Sequence, residues 1–139
     1  MNRLLTLLVT ILIPALTLGQ IQDIHISGTV KKYFDRNRSG PTLISAEIID
    51  DFIYGRTLKV KIRGHRNSEN PDLGFTFGAA AAVANHAATP FEMIWVEMDV
   101  RYKKLETTIA IAPAQCSVEA IVTKTRTFDS WWESCLEFL

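Results

Sequence analysis

Cysteine and histidine are scarce in this chain of 139 residues: two of the first and three of the second. That scarcity removes most metal and redox chemistry. Cys116 and Cys135 are too far apart for the Cys-x-x-Cys pair of a thiol oxidoreductase, and His25, His65 and His86 have no other His or Cys within four residues, so no ligand cluster with zinc spacing exists. The motifs that leave a trace in sequence are missing as well. There is no glycine-rich phosphate loop, no Gly-x-Ser-x-Gly elbow and no His-Glu-x-x-His. No catalytic residue, no metal and no cofactor is therefore assigned. Charge of one sign is also lacking. Fifteen Lys and Arg balance fifteen Asp and Glu, so no net field draws the chain to nucleic acid.

Long apolar runs are limited to one, Leu4 to Leu18, which follows Arg3 and ends at Gly19-Gln20. A bilayer-spanning helix takes roughly 20 apolar residues. This run is shorter and contains Pro14. A positive start, an apolar core and small residues at Thr17 and Gly19 make residues 1–19 read as a signal peptide, cut before Gln20. No cysteine follows the apolar run to accept a lipid. Residues 20–139 then form one exported domain, secreted or periplasmic, and a bacterial envelope is the simplest setting. In such an oxidising space the pair Cys116 and Cys135 is expected as a disulfide. No Pro/Ser/Gly linker or repeat divides the domain.

Read along the chain, Ile24, Ile26 and Val30 among polar neighbours predict a first strand over Ile21 to Phe34, with a bulge at Gly28. Asp35 to Pro41 is loop; the glycosylation pattern Asn37-Arg38-Ser39 is too short to be given a role. Ile44, Ile48, Ile49, Phe52 and Ile53 share a face at helical spacing and predict a helix from Thr42 to Gly55, with a strand over Leu43 to Ile49 as the alternative. Arg56 to Arg63 alternates cleanly, apolar at Leu58, Val60 and Ile62, and predicts a half-buried strand. Asn70-Pro71-Asp72 opens an alanine-rich helix to Ala88 whose Gly74, Gly78 and Ala82 form a smooth ridge for close packing. Strands follow over Phe91 to Tyr102 and Thr107 to Ala112. A short helix from Pro113 to Val122 and an amphipathic one from Phe128 to Phe138 close the chain. Ser130 and Glu133 have capping-box spacing in the last. The expected fold is α+β: about four mostly antiparallel strands covered on one face by helices, in order β-α-β-α-β-β-α-α.

Three surfaces could bind something. One is the edge of the sheet. Another is the basic strand face Lys59, Lys61 and Arg63, suited to an anionic ligand if those cations are not simply a solvated ridge that discourages edge pairing. The last is the C-terminal helix with Trp131 and Trp132, which either seal the core or meet a partner. The expectation is a non-catalytic binding or accessory protein acting through contacts with an unidentified protein partner. The rival is a small extracytoplasmic hydrolase built around His65, His86 or the acidic pair Asp50-Asp51, although adjacent helical residues point about 100° apart and would not share a cleft.

Overall fold

The computed structural model describes residues 20–101 and 103–139; the leader, its cleavage point and Tyr102 lie outside the described residues. The fold is α+β with a mostly antiparallel sheet, as the sequence predicts. The elements are α1 (Asp23–Asp35), β1 (Thr42–Asp51), β2 (Gly55–Gly64), a 3-10 turn (Arg66–Ser68), α2 (Glu69–His86), β3 (Met93–Arg101), β4 (Leu105–Pro113), α3 (Ala114–Ser117) running into a π turn (Val118–Val122), α4 (Phe128–Ser134) and β5 (Glu137–Phe138). The sheet order is β1-β2-β3-β4-β5. Among the described strands only β2 and β3 pair in parallel. Parallel neighbours need a long crossover, and α2 supplies it.

Register explains which face is covered. Val60 lies beside Ala46 on β1 and Val96 on β3, and Val96 beside Ala110 on β4; all four are buried. Leu58, Ile62, Ile94 and Met98 extend this face, and it shares one core with Ile26, Val30 and Phe34 of α1 and with Leu73, Phe77, Ala80 and Val83 of α2. The opposite face carries Lys59, Lys61, Glu97 and Asp99.

The first two elements are the reverse of the sequence expectation. Residues 23–35 are a helix because Ile26, Val30 and Phe34 recur every four residues and are its buried positions, a stripe that a helix places on one side. Ile24, which made the segment look alternating, is 85% exposed. Residues 42–51 are a strand, the alternative reading, and the helical spacing there was an accident of two irregularities. A bulge between Leu43 and Ser45 inserts Ile44, and Phe52 and Ile53 belong to a hairpin tip, where both stand exposed. The tip closes through Asp51, whose Oδ1 accepts the amides of Ile53 and Tyr54 at 2.8 and 2.9 Å. Gly55 leaves it at φ 74°, in the left-handed region that costs an L-residue about 1–2 kcal/mol. Gly55→Ala should lower unfolding free energy by at least about that amount, since a Cβ there also displaces the Glu92 carboxylate, read from urea denaturation.

The later elements differ in detail. α2 begins at Glu69, so Pro71 is its third residue rather than its first. Of its smooth ridge, Gly78 faces the π turn closely: a Cβ there would stand 3.3 Å from Ile121 Cγ2. The last helix is short. Thr127, not Ser130, caps it, accepting the Ser130 amide at 3.1 Å, and the chain then turns into a fifth strand that pairs with β4 at Ala110 and Ile111.

Candidate binding site

The basic strand face is a mixed-charge lattice. Because β2 and β3 are parallel and in register at Lys61↔Glu97 and Arg63↔Asp99, the carboxylates of β3 fall between the cations of β2. Lys59 Nζ is 3.5 Å from Glu97; Lys61 Nζ is 3.9 Å from Glu97 and 3.7 Å from Asp99. Thr107 donates to Asp99 at 3.0 Å and fixes it. Arg63 is exposed at the end of the row. A sequence reads charges along one strand only, so the acids on the neighbouring strand were hidden until register placed them.

The two tryptophans part company. Trp131 is fully buried; its Nε1 donates to Ser117 Oγ at 2.9 Å, and its ring meets Phe77 at 5.1 Å between centroids. It is core. Trp132 is half-buried and touches Phe128 and Phe138, which are about half exposed. Cys116 and Cys135 are joined in a disulfide with Cα atoms 6.5 Å apart, tying α3 to the end of α4 around Trp131.

His25, His65 and His86 are all exposed: the first lies on α1, the second precedes the 3-10 turn and the third ends α2. Asp50 is exposed, while Asp51 is engaged in the hairpin turn. No group of three or more His, Cys, Asp or Glu able to hold a metal occurs among the described residues. Nor is any helix among them long and apolar enough to cross a membrane.

One concavity the sequence did not reveal is an open groove of about 510 Å³ between α1 and the outer edge of β1. Its floor is apolar: Phe34, Leu43, Ala46 and the bulged Ile44, of which Ile44 is 43% exposed. One wall is α1, through Ser27, Lys31 and Asp35; the end is closed by Arg38 and Pro41. Lys31 and Asp35 neutralise each other at 2.8 Å. Arg38 is exposed and makes no ion pair among the described residues, and Lys32 and Arg36 stand exposed nearby. The groove is therefore positive at its Thr42 end. The strand itself carries only acids, Glu47, Asp50 and Asp51, so charge changes sign from the Arg38 loop before β1 to the Asp51 end of the strand. The strand itself has β2 on one side only, leaving a row of outward amide and carbonyl groups.

The reversed reading of residues 21–53 is what concealed this groove, since it exists only if a helix lies beside an edge strand. The signal that would have found it is the i, i+4 spacing of Ile26, Val30 and Phe34, together with the i, i+4 pair Lys31 and Asp35. Comparisons of the chain with protein-family models, with curated proteins and with solved structures find no match.

Proposed function

We propose that this is an exported binding protein that takes an extended, acid-bearing segment of a partner along the edge of β1. One observation carries the reading: a ten-residue edge strand is flanked by an apolar-floored groove whose end holds Arg38, a cation with no ion pair among the described residues. An added strand gains main-chain hydrogen bonds from the edge, while pockets for alternate side chains give specificity. Ile44 and Leu43 would receive an apolar side chain, and Arg38 a carboxylate. The aromatic patch around Trp132 lies near the opposite edge of the sheet, at β5, and a segment on β1 does not reach it. Lys59 and Lys61 are occupied by Glu97 and Asp99, which favours the edge over the basic face. Export is supported by the leader-like residues 1–19 and by the disulfide, which persists in oxidising compartments.

The test is titration with a peptide alternating valine and glutamate and, as control, one alternating valine and lysine. The first should bind and the second should not. Arg38→Glu should invert the preference. Raising salt from 0.1 to 1 M should weaken binding, because the screening length falls from about 10 Å to about 3 Å. Equal binding of both peptides, or indifference to Arg38→Glu, would refute the reading.

A further inference from the structure

We infer that the segment taken up by the β1 edge is β1 of a second copy of this chain, paired antiparallel, with the hairpin tip of each copy seated in the groove of the other. This rests on the strand-addition reading above and names its occupant.

Two features are otherwise unexplained. The groove beside β1 is apolar at its floor and positive at its Thr42 end. The hairpin tip that follows β1 is apolar and exposed: Phe52 has no neighbour covering it and Ile53 is 78% exposed. Antiparallel pairing of two β1 edges places the Asp51 end of one strand beside the Thr42 end of the other. The tip of each copy then falls against Phe34, Leu43 and Ile44 of its mate. The carboxylate of Asp50 falls toward the mate's Arg38. The sign change from the Arg38 loop to the acidic end of β1 is thus self-complementary in the antiparallel sense; parallel pairing would set acid against acid and cation against cation.

The tip is built for such a contact. The amides of Ile53 and Tyr54 are already satisfied by Asp51 Oδ1, so covering the tip strands neither of these donors. Tyr54 packs on Trp95 at 6.1 Å. Arg56, at the base of the hairpin, is held by Asp23 at 2.6 Å and lies over the Phe91 ring at 4.6 Å. The tip is presented by a fixed base. Assembly would also stop at two copies. A two-fold contact uses the same patch on both partners and closes on itself.

The experiment is light scattering on the chain expressed with its leader and recovered as the cell leaves it, at rising concentration, for the native protein, Phe52→Ser/Ile53→Ser, Arg38→Glu, and Arg38→Glu/Asp50→Arg. All four positions are exposed, and circular dichroism verifies that each variant is folded. The inference expects a native dimer, monomers for Phe52→Ser/Ile53→Ser and Arg38→Glu, and recovery of the dimer in the charge-exchanged double variant. A native monomer at every concentration would overturn it; the strand-addition reading would then stand if the valine-glutamate peptide still bound, and fall with it if not. A dimer that survives both disrupting variants would overturn it equally, because its interface would lie elsewhere.

Discussion

Trp131→Ala is expected to lower unfolding free energy by about 3–5 kcal/mol, the usual cost of truncating a large buried aromatic. Against a typical domain stability of about 5–15 kcal/mol, that would leave much of the population unfolded at mild denaturant. The size follows from position. Trp131 is fully buried, stacks near Phe77, Phe128 and Trp132, and its indole N–H is the donor to Ser117, whose hydroxyl in turn donates to the Pro113 carbonyl at 3.0 Å. Truncation leaves a cavity between α2 and the C-terminal segment and removes a link from the chain that fixes the start of α3. Trp131→Phe should cost less, since most of the volume remains and only the indole donor is lost. Urea denaturation of both variants measures the ordering. Equal small losses would mean that Trp131 is not the seal of this core.

Replacing both cysteines with serine is expected to cost about 3 kcal/mol, the chain-entropy value for a loop of this size; the two positions are 19 apart. With a urea slope of about 1–3 kcal/mol per molar, the midpoint should fall by about 1–3 M. The effect concentrates at one place, because the bridge holds the end of α4 against α3 with Trp131 between them. The same loss should appear in the native protein under reductant. A domain as stable reduced as oxidised would remove the argument linking its folding to an oxidising compartment.

What was legible in the sequence was whatever rests on local pattern. The alternation of Leu58, Val60 and Ile62 gave β2, the alanine run gave α2, the even cysteine pair gave the disulfide, and together they gave the α+β class. What was hidden rests on exceptions to pattern or on pairing across the chain. Ile44, Phe52 and Ile53 imitated a helical stripe because one is a bulge residue and two form a turn, and Ile24 imitated strand alternation because an exposed isoleucine preceded a helical stripe. The acids that balance Lys59 and Lys61 sit on β3, more than thirty residues away. The groove needed α1 and β1 both to be right, and Arg38, which makes no ion pair among the described residues, lay in a loop that carried no signal of its own.

The account turns on β1 being the edge that accepts another strand. Amide hydrogen exchange in the Phe52→Ser/Ile53→Ser variant, whose edge is expected to be vacant, tests this directly when the valine-glutamate peptide is added. Slowed exchange at alternate amides within Thr42–Asp51, with none at Glu137–Phe138, is the predicted result. Slowing at β5, or at no strand, would contradict it.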